Sequence, residues 1–355
     1  MAKPIVDSNS MNNVSSNMFP KYGHKQRRNI KVLITLGLLI VIAFVLSMNT
    51  GFIRLSPLDT IRTLFGGGSE KEQLILFDFR LPRIVISLLI GSGLAVSGCI
   101  MQSISRNALA DPGILGINAG AGLVVLVFVA YYPNLGTASI FLLPVLAWIG
   151  AGLTAVIIFS LSYKRHKGLL PTRLLLTGVA VAAGISAATI VITLRINPEK
   201  YQFVATWMAG SIWGANWKFV LVLLPFIVIL LPFVFSKAGT MNVLNLGEMT
   251  AIGLGTKVYR EQIILLGAAV GLAGSCVAVS GSIGFVGLIG PHLARRLVGQ
   301  MHQALLPASA LIGSLMVIVA DMLGRLILQP SEIPAGIIVT IVGAPYFLYL
   351  LAHSR

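Results

Sequence analysis

Apolar residues dominate this chain in long runs that are separated by short segments holding most of the charged residues. A helix needs roughly twenty consecutive apolar residues to cross the hydrocarbon core of a bilayer. The pattern therefore predicts an all-α, polytopic membrane protein with ten transmembrane helices, at about residues 32–50, 84–104, 114–132, 138–162, 174–194, 219–236, 261–280, 282–297, 304–323 and 334–352.

One boundary in this pattern depends on glycine. Gly281 and Gly284 divide the apolar run 261–297 into two spans, and an uninterrupted helix there would put the two termini on opposite faces of the membrane. With the break, the number of spans is even and both termini lie on one side. Other small residues at one-turn spacing, such as Gly91 with Ala95 and Gly267 with Gly271, predict close packing between membrane helices.

Composition and charge fit this interpretation. The chain has 355 residues, of which 56% are hydrophobic and only 10% charged, which is too apolar for a soluble domain. The net charge of +15 comes from residues in short loops, where Lys and Arg mark the cytoplasmic side rather than a nucleic-acid site. We expect residues 1–31 to be a cytoplasmic tail, residues 32–355 to be the ten-helix domain, and both termini to be cytoplasmic.

The sequence contains no recognisable motif for catalysis, nucleotide binding or metal binding. It lacks the nucleotide-binding pattern G-x-x-x-x-G-K-[ST] and a histidine-based metal motif, so it predicts no ATPase site, no metal site and no cofactor. Cys99 and Cys276 lie inside apolar runs and are interpreted as packing residues. The chain is expected to be a transport subunit rather than an enzyme.

A glycine-rich stretch, SGSIGFVGLIGPHLARRLVG from Ser280 to Gly299, is joined by seven further motifs in a fixed order. Together they resemble the iron-siderophore and cobalamin class of ABC-importer permeases, the FecCD-like family. The further motifs are RLPR from Arg80, SGCIMQ from Ser97, RNALADPG from Arg106, LLLTG from Leu174, LNLGE from Leu244, ADMLGR from Ala320 and EIPAG from Glu332.

This resemblance implies a permease of the bacterial cytoplasmic membrane that imports a ferric siderophore. It implies a second permease subunit, identical or homologous, a cytoplasmic ABC ATPase dimer and an extracytoplasmic substrate-binding protein. Haem and cobalamin permeases share these motifs, so the cargo stays open. An ion-coupled secondary transporter is the rival from another class, but it calls for buried acids or unwound helices at the membrane midplane, of which the sequence shows little.

The resemblance also assigns site residues at the outer face. Arg80, Arg83 and Arg325 match arginines that receive acidic residues of the binding protein, and the first two are expected to project from the mouth of the second span. The alternative is that they reach lipid headgroups. From their spacing of one helical turn, Asp321 and Arg325 are expected to pair with each other or to reach the membrane interface.

Two loops match the family's cytoplasmic gate. One contributes Asn107 and Leu109, although Ala108 stands where the family usually has proline. The other contributes Pro171 and Thr172, next to Leu170. Asp111, within the first loop, can also cap the start of the third span.

The segment 241–260 is too short and polar to span a membrane, yet its leucines and isoleucines can bury one face of two short helices that turn at Gly247. The resemblance makes this segment the element that couples to the ATPase. Its best matches to the family are Leu246, Gly247, Glu248, Ala251 and Gly255.

Overall fold

The computed structural model describes residues 20–51, 56–113, 116–132, 137–164, 168–169, 171–212, 214–329 and 331–353. Within them the chain is almost entirely helical, with one antiparallel pair of two-residue strands, β1 (Tyr163–Lys164) and β2 (Gly168–Leu169). The helices are α1 (Pro20–Asn49), α2 (Pro57–Leu64), α3 (Glu70–Gln73), α4 (Leu81–Ser105), α5 (Ile117–Tyr131), α6 (Thr137–Ser162), α7 (Pro171–Thr193), α8 (Pro198–Met208), α9 (Trp217–Ser236), α10 (Ala238–Asn245), α11 (Glu248–Gly253), α12 (Val258–Ser280), α13 (Val286–Val298), α14 (His302–Ile327) and α15 (Ala335–His353).

A helix overlaps each of the ten predicted spans, namely α1, α4, α5, α6, α7, α9, α12, α13, α14 and α15. Seven helices of the described chain are long and apolar enough to cross a membrane, and α5 and α15 include shorter apolar segments. The described chain is therefore that of a predominantly helical, polytopic membrane protein.

Two helices begin earlier than the sequence predicts. Helix α1 starts at Pro20, so residues 20–31 of the predicted tail are helical, while residues 1–19 lie outside the described part of the chain. Helix α4 continues a helical run that starts at Glu70 and includes a π-helical segment, Leu74–Arg80. Both extensions are polar or mixed in sequence, which is why apolar periodicity does not reveal them.

Helix α4 forms the centre of the bundle. It is apolar around most of its circumference, which is typical of a helix surrounded by other helices or by lipid. It packs against α9, α12, α13 and α14, and from Gly91 to Ser105 every residue is buried. Side-chain hydroxyls add bonds across these contacts, from Ser97 Oγ to the Ala269 carbonyl (2.7 Å) and from Ser314 Oγ to the Leu88 carbonyl (2.8 Å).

Glycines on α4 allow its neighbours to approach to backbone contact. A Cβ placed at Gly91 would lie 2.3 Å from the carbonyl oxygen of Gly313 on α14, and one at Gly98 would lie 1.8 Å from that of Gly287 on α13. Gly91 thus packs as its spacing predicts. Gly267 has the same one-turn spacing to Gly271, but a Cβ placed there would have no atom within 4 Å, so its predicted role in close packing is wrong.

The predicted break after residue 280 is present. Helix α12 ends at Ser280, Gly281 has a φ of +67° and Phe285, at φ +64°, precedes the first residue of α13. Helix α13 has 13 residues, so it is about 20 Å long and shorter than the hydrocarbon core. The start of α13 lies against the middle of α4, because Gly287 contacts Gly98.

We predict that Gly98→Ala lowers the melting temperature of the purified protein in detergent, because the added methyl group would force α13 away from α4 at a cost of about 1–3 kcal/mol. Gly267→Ala is the matched control, since it adds the same methyl group to a helix with open space around it. Unfolding can be followed with a thiol-reactive dye, because Cys99 and Cys276 are both buried. Equal melting temperatures for the two variants would contradict the packing argument.

Candidate functional site

Five charged side chains form a cluster where the start of α4 meets the end of α14. We call Arg80, Arg83, Asp321, Arg325 and Glu332 the arginine cluster. Arg83 binds two carboxylates, with 2.8 Å to Asp321 Oδ1 and 2.7 Å to Glu332 Oε2. Asp321 also faces Arg325 on the same helix, with Oδ2 3.2 Å from Nε, so the predicted pairing of these two residues is confirmed as a charge contact.

The other two arginines of the cluster form hydrogen bonds with the end of α1. Arg325 donates to the Thr50 carbonyl (3.0 Å) and to Ser47 Oγ (2.6 Å), while Arg80 donates to the Met48 carbonyl. Arg80 and Arg325 are each only 6% exposed. The expectation that Arg80 and Arg83 project from the mouth of the span is therefore wrong for this structure. The helical run continues upstream of Leu81, and both side chains turn inward to carboxylates and carbonyls of their own chain.

The predicted gate residues Asn107 and Leu109 lie in a tight turn just after α4. Arg106 ends that helix at φ +50°, and Asn107 Oδ1 accepts a hydrogen bond from the Leu109 N–H at 2.9 Å. Both gate side chains are half-buried. In the other predicted gate element, Pro171 and Thr172 are the first two residues of α7 and Thr172 is exposed, while Leu170 lies outside the described residues.

The chain after Asn107 runs into the interior of the bundle before α5 begins. Ala110, Asp111 and Pro112 are buried, and a Cβ at Gly287 would lie 3.2 Å from Asp111 Oδ1. The start of α5 joins the break between α12 and α13 through a hydrogen bond from Asn118 Nδ2 to Ser282 Oγ, at 3.0 Å. The turn 106–113 and the break 281–285 are thus close to each other inside the bundle, through Asp111 beside Gly287 and Asn118 bonded to Ser282.

Asp111 does not cap α5, which corrects the sequence prediction. Helix α5 begins after Gly116, which has a φ of +84° and provides no side-chain cap. Asp111 instead accepts a hydrogen bond from the Gly113 N–H at 2.8 Å. Burial raises the pKa of Asp111 to about 6, and the hydrogen bond from Gly113 opposes this rise.

The segment 238–255 has the predicted form of two short helices. Helix α10 ends at Asn245, α11 begins at Glu248, and the turn between them depends on Gly247 at φ +111°. Ala251 is buried, whereas Glu248 and Gly255 are exposed. Four large apolar side chains of this segment are also exposed, at 56–85%: Leu246, Met249, Ile252 and Leu254.

A polar network that sequence reasoning missed connects this segment to α4 and α14. His302 at the start of α14 is 1% exposed, and its ring contacts Asn242 Oδ1 (2.8 Å) and Ser103 Oγ (3.2 Å). Ser103 in turn donates to Asn245 Oδ1 at 3.0 Å. The signal available in the sequence was a lone histidine between two apolar runs, which does not reveal its partners.

The arginine cluster and the segment 238–255 therefore lie at opposite ends of α4. Helices α4 and α14 run antiparallel, because Arg83 meets Asp321 at one end and Ser103 meets His302 at the other. A 25-residue helix is about 37 Å long, so this pair extends from one end of the bundle to the other.

The fold and these sites define a class of protein. The chain is a membrane-embedded helical bundle with exposed apolar helices at one end and a charged cluster at the other. In the described residues, no group of three or more His, Cys, Asp or Glu side chains is placed to hold a metal ion. The membrane-embedded bundle and the surfaces at its two ends are those of the permease subunit of a transporter.

Comparison with known proteins identifies the family. The family model described as the FecCD transport family matches residues 39–353, and the chain belongs to this family. It is 48% identical over 335 residues to the iron(3+)-hydroxamate import system permease protein FhuG of Bacillus subtilis (93% of this chain, 99% of the relative). It is 40% identical over 331 residues to the iron-uptake system permease protein FeuC of the same organism (92% and 98%).

The fold is also similar to a solved structure described as an inward-facing conformation of a metal-chelate type ABC transporter. The TM-score is 0.80 at 31% sequence identity, covering 91% of this chain and 99% of the other. The chain is accordingly an ABC-importer permease, a multi-pass protein of the plasma membrane.

We predict that Asp111→Asn stabilises the protein at pH 7.5 but not at pH 4.5. The carboxyl group has a higher pKa in the folded protein than its ordinary value near 4, so its protonated form stabilises the fold at low pH. That stabilisation, about 2–3 kcal/mol, is lost as the pH rises through 6. Asparagine keeps the group neutral at every pH and can still accept from Gly113.

Melting temperatures of both proteins, followed by tryptophan fluorescence at the two pH values, provide the test. Asp78→Asn is the control, because Asp78 is exposed and its substitution should have no effect at either pH. The same difference between Asp111→Asn and wild type at both pH values would contradict the argument.

Proposed function

We propose that this chain is the membrane permease of an ABC importer that takes up ferric siderophores. The observation that carries the proposal is its similarity, over nearly the full length of both chains, to relatives named for iron(3+)-hydroxamate import and iron uptake. Haem and cobalamin are the alternative cargoes, and transport experiments decide among them.

The proposed topology has ten membrane crossings with both termini in the cytoplasm. Contacts at the helix ends support it. The end of α1 and the end of α14 both meet the start of α4 at the arginine cluster, and the start of α14 meets the end of α4 near Ser103. The broken segment α12–α13 supplies two crossings, with α13 completing the second from mid-bundle.

A second permease subunit is the proposed partner of α7. This helix is hydrophobic enough to cross a membrane, yet only 6% of the residues in its most apolar stretch are buried within this chain. Its exposed residues include small ones, which favour helix–helix contact in a bilayer over contact with lipid: Ala180, Ala183, Gly184, Ser186, Ala187 and Ala188. The gate residues Thr172 and Pro171 begin the same helix, so the transport pathway would lie between the two subunits.

ATP hydrolysis by the partner ATPase would be coupled to transport through α10 and α11. Leu246 in the turn, and Met249 and Ile252 on α11, are exposed, and both helices are too short to cross the membrane. A hydrophobic groove on an ATPase dimer is a suitable partner for such a surface. Glu248, Gly247, Ala251 and Gly255 complete this coupling site. ATP hydrolysis is assigned to the partner, since the chain has no nucleotide-binding loop.

The segment 238–255 is the proposed coupling segment, and its movement would be transmitted directly to the gate residues Asn107 and Leu109. Arg106, which precedes Asn107, donates to the Leu244 carbonyl at 3.2 Å, and Ser103 on the same helix end bonds to Asn245. Displacement of α10 by the ATPase therefore acts on the turn that holds Asn107 and Leu109. The binding protein would dock at the opposite end, over the arginine cluster, where the Arg83 side chain is 13% exposed while Arg80 and Arg325 lie buried beside it.

The first test is uptake of radioactive iron in cells with and without the gene, with iron supplied as a panel of ferric siderophores. Deletion should abolish uptake of one chemical class, such as the hydroxamates, and the wild-type gene should restore it. If iron uptake is unchanged while haem or cobalamin uptake fails, the alternative cargo is correct. If uptake depends on the membrane ion gradient and not on ATP, the chain acts as a secondary transporter.

We predict that Glu248→Ala abolishes siderophore-dependent iron uptake while the complex still assembles and hydrolyses ATP, because an exposed charge at the ATPase contact is lost. Thr250→Ala is the matched control on the same helix, where the side chain is also exposed but carries no charge. Copurification of the ATPase, ATPase rate and iron uptake are the three measurements. Wild-type uptake by Glu248→Ala would remove Glu248 from the coupling site.

A further inference from the structure

In the arginine cluster, the two acids that bind Arg83 differ sharply in exposure. The Asp321 side chain is 2% exposed and lies on α14, whereas that of Glu332 is 32% exposed and lies in the connection between α14 and α15. Both distances are those of strong charge-assisted hydrogen bonds. Asp321 is thus the buried, permanent counter-ion of Arg83, and Glu332 is the one that solvent reaches.

We propose that Glu332 occupies the position on Arg83 that a carboxylate of the binding protein takes at docking, so that docking exchanges one carboxylate for another. This inference rests on the proposed function, because it assumes that the binding protein docks at the arginine cluster. It makes Glu332 an internal competitor of the partner and a determinant of docking affinity.

The geometry favours exchange at Glu332 and at no other carboxylate of the cluster. Displacement of Asp321 would leave a buried carboxylate without a counter-ion, which is strongly unfavourable. Displacement of Glu332 returns a partly exposed carboxylate to water, where an ion pair contributes little to stability. Arg83 keeps its two-acid environment throughout, so the charge of the cluster does not change.

The backbone around Glu332 is anchored independently of its side chain. The Ile333 N–H donates to the Gly324 carbonyl at 3.0 Å, and the Gly336 N–H donates to the Gly210 carbonyl at 2.9 Å. These bonds hold in place the backbone that directly follows Glu332. Release of Arg83 therefore requires only a rotation of the Glu332 side chain.

The test measures docking of the full transporter, permease with ATPase in lipid nanodiscs, to the purified binding protein that supports siderophore-dependent iron uptake with the wild-type chain. Glu332→Gln should bind it about two- to fivefold more tightly, because the competing charge is gone. Glu332→Asp, whose shorter side chain weakens the pair, should give an intermediate gain. Phenylglyoxal should also modify Arg83 faster in both variants, as read by mass spectrometry.

Glu70→Gln is the matched control, since it removes one exposed acid from the helical run that leads into Arg80. An affinity of Glu332→Gln equal to that of Glu70→Gln, or weaker than wild type, would overturn the exchange. Arg83→Gln separates the two hypotheses. If it weakens docking and Glu332→Gln brings no gain, only the exchange fails. If it leaves docking unchanged, the docking site itself is wrong, and the exchange fails with it.

Discussion

Backbone contact around α4 is the constraint on which the rest of the structure depends. Lipid chains are as apolar as leucine, so membrane helices gain little from hiding hydrophobic surface and rely on close packing and hydrogen bonds. Gly91 and Gly98 let the backbones of α14 and α13 touch α4, and Ser97 adds a hydrogen bond to α12. The arginine cluster and the coupling segment keep their relative positions because each is fixed to one end of this packed centre.

The short membrane helices α5 and α13 follow from the same constraint. A backbone that leaves the helical state inside a membrane must find hydrogen-bond partners within the protein. In the turn 106–113 the Ala110 N–H donates to the Asn107 carbonyl at 3.1 Å, and at the break 281–285 the Gly281 N–H donates to the Val277 carbonyl at 2.8 Å. Gln102 donates to the Gly287 and Leu288 carbonyls (3.3 and 3.2 Å), and Asn118 bonds to Ser282. The non-helical backbone in the middle of this bundle is therefore held in place by hydrogen bonds. This backbone lies next to the proposed gate.

The sequence predicts the helices well because membrane spans depend on local composition, and each predicted span contains a helix. The coupling helices and their turn at Gly247 follow in the same way from a local pattern of small and apolar residues. The orientation of side chains over long separations is a different matter. The inward turn of Arg80 depends on the position of Met48, and the burial of His302 depends on Asn242 and Ser103, none of which periodicity can reveal. Glu332 belongs to a motif that the sequence reveals, but its contact with Arg83 is tertiary.

The long stretch of sequence between Arg83 and its two counter-ions, Asp321 and Glu332, has a consequence for biosynthesis. Asp321 follows Arg83 by 238 residues, and Glu332 follows it by 249. At the usual rate of translation, about 5–20 residues per second, the ribosome needs roughly 12–48 seconds to supply the first of these carboxylates. During that interval α4 is already made while Arg83 has neither acid to bind, so its charge must stay at the water interface. The arginine cluster can close only when α14 arrives, and the final assembly of this end of the bundle waits for the last tenth of the chain.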